Sequence, residues 1–215
     1  MSAVEKLDRH LTYKDYLKNS GSDFWEIING RAYAMSQSPS TAHQRISRIL
    51  STKIDTFLKG KPCEVFSAPF DVRLPKTDQD DESTDNVVQP DLLVVCDKKK
   101  IDEKGCQGAP DFIIEILSNS TADRDHFEKL KLYEASGVKE YWIVNPWSKA
   151  ILVHHLKEGQ YDQALGFRFK DDVKVETLQG LIINLSELLE VDLHSPTRSL
   201  SFWKFHKTKR QRLKC

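Results

Sequence analysis

Two acidic side chains occupy apolar runs where a soluble protein ordinarily places Val or Ile: Asp91 in Pro90-Asp91-Leu92-Leu93-Val94-Val95 and Glu115 in Phe112-Ile113-Ile114-Glu115-Ile116-Leu117. An ionised carboxylate in such a run gives up hydration worth roughly several kcal/mol unless a cation, a hydrogen-bond network or a metal replaces it. Two carboxylates on neighbouring strands can share one hard divalent cation, because Mg²⁺ takes oxygen ligands and keeps several waters. The carbonyl of Ile116, next to Glu115, offers a neutral third ligand. A metal held this way polarises a phosphoryl oxygen and lowers the pKa of its water, the two needs of phosphodiester hydrolysis. A lysine nearby would stabilise the developing negative charge.

Two residues after Glu115, where that lysine is expected, stands Leu117, so Lys129 of the following helix is the substitute. A helix that follows a strand in a crossover packs back over it, which can aim Lys129 at the strand's end. The competing reading pairs Lys129 with Asp125, one turn earlier, on a solvated surface. His43 shares a helical stripe with Ile46, Leu50, Ile54 and Phe57 and should face inward. There it would bind a metal or orient water as neutral imidazole, or simply be a satisfied core histidine, and the positive end of its helix disfavours the imidazolium. Glu26 is a further candidate acid, although alternation with Trp25 and Ile27 favours solvent. Asp71 and Asp111 border turns and are set aside. No glycine-rich phosphate loop, G-x-S-x-G elbow or H-E-x-x-H helix occurs, which removes P-loop nucleotidases, α/β-hydrolases and zincins from the leading readings.

The elements that must position these groups are legible as patterns. Asn29-Gly30 between Phe24–Ile28 and Arg31–Met35 is a strong hairpin signal. Thr41 with Gln44 forms a capping box ahead of a helix that should stop near Lys59-Gly60. Extended segments follow at 63–67, 70–74, 87–96 and 112–117. Ser120 caps a second helix through Ser136, Gly137 ends it, and the strand Glu140–Val144 comes next, so this strand-helix-strand unit should be parallel and right-handed. Short strands at 150–156, 166–169, 173–176 and 181–183 and a helical turn at 186–190 complete the chain. They predict one mixed sheet in an α/β sandwich.

At 215 residues the chain is long enough for one domain with a good core, and 39% hydrophobic with 30% charged residues describes a globular protein rather than a disordered one. The opening residues lack a signal-peptide pattern and no apolar run reaches spanning length, so the expectation is cytoplasmic, with no membrane partner. Cys63, Cys96, Cys106 and Cys215 contain no C-x-x-C pair and are expected as reduced thiols. Lys and Arg balance Asp and Glu at 32 each, yet residues 204–214 are basic, a tail that either touches phosphate or stays solvated. Asp78, Asp80, Asp81, Glu82 and Asp85 form a self-repelling acidic loop, expected to be mobile.

Glu26-Ile27-Ile28-Asn29-Gly30, Ser38-Pro39-Ser40 before His43-Gln44, and Val88-Gln89-Pro90-Asp91-Leu92 resemble the opening of the Uma-two family of restriction-endonuclease-like proteins. The block Gly108-Ala109-Pro110-Asp111-Phe112-Ile113-Ile114-Glu115-Ile116-Leu117-Ser118, with Arg124-Asp125, Glu128-Lys129, Tyr133 and Gly137–Pro146, is similar to that family's centre. The resemblance implies one domain over 12–190, followed by the basic tail 191–215, in the PD-(D/E)XK nuclease superfamily. Its core would be α-β-β-β-α-β, with a mixed central sheet flanked by helices, plus the N-terminal hairpin and extra C-terminal antiparallel strands. It implies a DNA endonuclease dependent on Mg²⁺ or Mn²⁺, with Asp91 and Glu115 as metal-binding acids, Lys129 as the lysine displaced to the helix, and His43 and Glu26 lining the cleft. Residues 76–86 depart from the family pattern as an acidic insertion, and Asn119 replaces a frequent Pro. A homodimer is expected, since cutting a duplex commonly pairs two sites. The alternative is a catalytically silent nucleic-acid-binding or assembly module on the same fold, which the neutral overall charge favours.

Overall fold

A computed structural model of the chain describes residues 9–19, 25–35, 39–118 and 127–190. Among these residues three α-helices, α1 (Tyr13–Asn19), α2 (Thr41–Leu58) and α3 (Lys129–Ser136), accompany fifteen short strands. The first eight are β1 (Trp25–Ile28), β2 (Arg31–Ala34), β3 (Glu64–Ser67), β4 (Val72–Arg73), β5 (Val87–Val88), β6 (Leu92–Val95), β7 (Ile101–Asp102) and β8 (Gly105–Gln107). Then come β9 (Phe112–Ile116), β10 (Glu140–Asn145), β11 (Ala150–Lys157), β12 (Gln160–Tyr161), β13 (Leu165–Arg168), β14 (Asp172–Lys174) and β15 (Ile182–Asn184). The architecture is α/β with mixed sheets, as expected, but the strands divide among three sheets rather than one.

The main sheet runs β12-β11-β10-β9-β6-β3, with β13 also on β11. Only β9 and β10 are parallel in it, in the register Glu115↔Ile143, and α3 lies between them in sequence, so the expected crossover is present. The second sheet, β2-β1-β5-β4-β8-β7, is assembled from hairpins on both sides of the acidic loop. β14 pairs β15 alone. The single strand expected over 87–96 is two: Gln89-Pro90-Asp91 separates β5 in the second sheet from β6 in the first. Pro90 has no N–H to give a ladder, and the break frees Asp91 to sit at a strand mouth.

Alternation along the main-sheet strands builds two cores. One face packs Leu92, Val94, Phe112, Ile114, Ile116, Trp142 and Val144 against Ile46, Leu50 and Ile54 of α2. The other packs Leu93, Ile113, Leu117, Tyr141 and Ile143 against Leu132 and Tyr133 of α3 and against Ile28, Val72 and Val88 of the second sheet. Glu115 alternates with Ile113 and Leu117 and therefore belongs to the α3 face.

Several local expectations are corrected. Ser40, not Thr41, is the N-cap of α2: its backbone is extended, and its Oγ accepts from the His43 N–H at 3.2 Å. Cys63 and Cys96 are joined in a disulfide instead of standing as separate thiols. The Glu64↔Val95 pairing brings the next residue on each strand face to face, a juxtaposition that a sequence separation of 33 conceals. Cys106 remains a buried free thiol. The acidic loop is tied down, Asp81 to the buried Arg73 and Asp85 to Lys76 and His10. Helix α1, the β7–β8 hairpin and β12 were not expected from the sequence.

The β1–β2 turn bears out the hairpin expectation. Asn29 and Gly30 have φ of 50° and 74°, both in the left-handed region that a two-residue hairpin loop requires. A Cβ on Gly30 would lie 2.2 Å from the ring of the exposed His10, which would have to swing aside, and the positive φ would strain any larger residue. Ser120, Asp125 and the tail 191–215 lie outside the described residues.

Candidate active site

Asp91 sits immediately before β6, and the antiparallel pairing Leu92↔Ile114 places it beside the C-terminal end of β9. Its Oδ2 accepts from the main-chain N–H of Ile116 at 2.7 Å and lies 3.1 Å from His43 Nε2. His43 is buried on the inner face of α2, as its helical stripe predicts. N–H and C=O of one strand residue point to the same strand edge, so the Ile116 carbonyl also faces the Asp91 side.

Glu115, one residue earlier on β9, carries a second set of contacts. Its Oε1 accepts from Lys129 Nζ at 2.7 Å and from the Tyr133 hydroxyl at 2.8 Å. Lys129 Nζ also lies 2.8 Å from Glu26 Oε1, which in turn accepts from the Gln89 N–H at 2.9 Å. Glu26, Glu115 and Lys129 are 1%, 3% and 4% exposed, so these pairs are desolvated and carry the interaction strength of a low-dielectric interior. This overturns the solvated-surface reading of Lys129 and the solvent-facing reading of Glu26. Burial pushes the Tyr133 hydroxyl well above the usual tyrosine range, with the neighbouring Glu115 charge adding to it, so it stays a proton donor.

The five expected side chains thus fall into two hydrogen-bonded groups, His43–Asp91 and Glu26–Lys129–Glu115, joined through the consecutive residues Glu115 and Ile116. Among the described residues no three His, Cys, Asp or Glu side chains form a group that could hold a metal ion. A divalent cation here would therefore rest on Asp91, Glu115 and the Ile116 carbonyl, with water completing the shell. The donor set fits such an ion, because all three are hard oxygens.

Comparison with known proteins places the chain in a family. The profile of Uma2, described as "Putative restriction endonuclease", matches residues 12–186. The chain belongs to the Uma2 family. An uncharacterized protein of Synechocystis sp. is 28% identical over 156 residues, 71% of this chain and 77% of that protein. Among solved structures, one from Anabaena variabilis, described as a "putative nuclease belonging to DUF820", superposes with a TM-score of 0.68 at 18% identity. The match spans 84% of this chain and 98% of the other, and it establishes a shared fold. No helix among the described residues of this Uma2 protein is long and apolar enough to cross a membrane.

Two participants were missed by the sequence reading. Tyr133 is one helical turn after Lys129, and that i,i+4 spacing was the available signal. Gln89 offers its main-chain N–H to Glu26 while its side chain binds Tyr16 Oη at 3.0 Å and Asp71 Oδ1 at 2.7 Å. Nothing in residue type announces a main-chain donor. Asp71 is thereby part of the surrounding network, and Asp111, set aside with it as a turn residue, is buried against the Cys96 N–H and Lys139.

Proposed function

We propose that this Uma2 protein is a divalent-metal-dependent endonuclease that hydrolyses DNA phosphodiesters on a restriction-endonuclease-like core spanning residues 12–190. The observation that carries the reading is the convergence at the ends of adjacent strands: Asp91 accepts from the Ile116 N–H, while Glu115, the residue before it, holds the Lys129 ammonium. Asp91, Glu115 and the Ile116 carbonyl would hold Mg²⁺ or Mn²⁺, which supplies Lewis acidity and a water of lowered pKa. Lys129, fixed by two carboxylates, presents its ammonium where negative charge develops on the phosphoryl group. His43 holds Asp91 through Oδ2, leaving Oδ1 for a ligand.

The test is cleavage of plasmid and single-stranded DNA by wild type and by Asp91→Ala with Mg²⁺, Mn²⁺ or EDTA. The expected result is metal-dependent cutting lost by a factor of about 10³ or more in the variant. Equal cutting by both proteins, or none with any metal, overturns the proposal. We take the active form to be a two-fold dimer, because the two strands of a duplex call for two sites. Light scattering at assay concentration checks this, and a single-chain mass contradicts it.

A further inference from the structure

We infer that Glu26 is a positioning residue: it sets the place of the Lys129 ammonium through a relay that begins outside the catalytic strands. The inference rests on the nuclease reading above and extends it to how the lysine is aimed. Lys129 is the first residue of α3, where a long side chain with four rotatable bonds is poorly fixed by its own helix. The contact to Glu115 at 2.7 Å fixes the distance of the nitrogen from that oxygen but not its direction. The second contact, to Glu26 at 2.8 Å, removes this freedom, because the nitrogen must then lie where the two acceptors' reach overlaps.

Glu26 can serve only if it is itself held, and it is. β1 places it 1% exposed and paired opposite Tyr33, and the Gln89 N–H donates to the same Oε1 that meets Lys129. Gln89 is fixed in turn by its side-chain bonds to Tyr16 of α1 and to Asp71, and Tyr16 donates to Asp71 at 2.9 Å. The chain Asp71–Gln89–Glu26–Lys129–Glu115 therefore carries the rigidity of the second sheet and α1 into the metal-binding strand. Gln89 and Asp91 flank Pro90, so the segment that offers the first acid also anchors the lysine's second partner.

A ligand role for Glu26, or a merely structural one, makes different predictions. As a positioning residue Glu26 affects turnover rather than metal uptake, since displacing a catalytic group by about 1 Å costs on the order of 10²-fold in rate. The experiment compares wild type, Glu26→Gln and Glu26→Asp for kcat and KM on plasmid DNA with Mn²⁺, and for Mn²⁺ affinity by calorimetry, below the melting temperature of each. Glu26→Gln keeps the shape and loses the charge; Glu26→Asp keeps the charge but withdraws it by one methylene and serves where the first variant does not fold. The expected result is a kcat reduced by about 30- to 100-fold in either variant, with KM and Mn²⁺ affinity within about threefold of wild type. An unchanged kcat overturns the inference, and loss of Mn²⁺ binding overturns it in favour of a ligand role. A wild type that neither binds Mn²⁺ nor cuts removes the nuclease reading itself, a distinct outcome.

Discussion

Replacing Lys129 with Met will disarm the site and destabilise the fold together. The side chain is 4% exposed and is the ammonium between Glu26 and Glu115, so Met leaves two buried carboxylates without their shared counter-charge. Removing one partner of a buried pair costs about 3–5 kcal/mol. For a chain of this size that lowers the melting temperature by roughly 10 °C. Cutting should fall by about 10²–10³, the usual loss when a preorganised stabiliser of developing charge is deleted. The two effects separate in a double variant: adding Glu26→Gln to Lys129→Met removes one stranded charge and should recover part of the stability without recovering cutting. Thermal melts and plasmid assays on the two proteins check this. A Lys129→Met protein that melts with wild type would show that the carboxylates do not depend on the lysine.

What the sequence made legible, and what it did not, follows from the range over which each cause acts. The Asn29-Gly30 turn, the stripe of α2 and the β9–α3–β10 crossover depend on a few consecutive residues, and they stand where the patterns put them. Alternation also placed Glu26 on the face opposite Trp25 and Ile27. The error lay in taking that opposite face for solvent. Trp25 and Ile27 pack with Leu11, Tyr13 and Tyr16, from α1 and the residues before it, while Ile28 joins the core shared with α3, so both faces of β1 are covered. No periodicity in a four-residue strand reports a second layer. Cys63 with Cys96, and Arg73 with Asp81 and Asp102, were hidden for the same reason, since strand pairing and the path of the loop rather than local spacing bring them together. Asp91 and Glu115 were conspicuous because an acid inside an apolar run contradicts its chemistry, and that signal survives without knowledge of the fold.

Arg73→Ala will release the acidic loop and cost about 1.5–3 kcal/mol at neutral pH, the range for lost charged hydrogen bonds, because the two acids left behind are partly exposed and can rehydrate. The guanidinium is fully buried on β4, gives Asp81 two bonds of 2.7 and 2.8 Å, reaches Asp102 at 2.7 Å and lies over the Tyr13 ring. Arg73→Lys should recover little of this, because a single ammonium cannot serve a bidentate carboxylate and a second acid at once. The pH dependence has a definite sign. Partial burial pushes the Asp102 carboxyl up, but the Arg73 hydrogen bond and the Lys104 N–H outweigh it, and the group sits below the ordinary carboxylate range. A folded-state value depressed below the unfolded one contributes stability that is complete above the unfolded value, about pH 4, and is lost as pH falls through the folded value. Urea unfolding of wild type and Arg73→Ala at pH 7 and pH 3 should therefore show a gap that narrows in acid, because protonation removes from wild type the interaction the variant already lacks. A gap equally wide at both pH values would mean that Arg73 stabilises the protein by packing on Tyr13 rather than by holding the acidic loop.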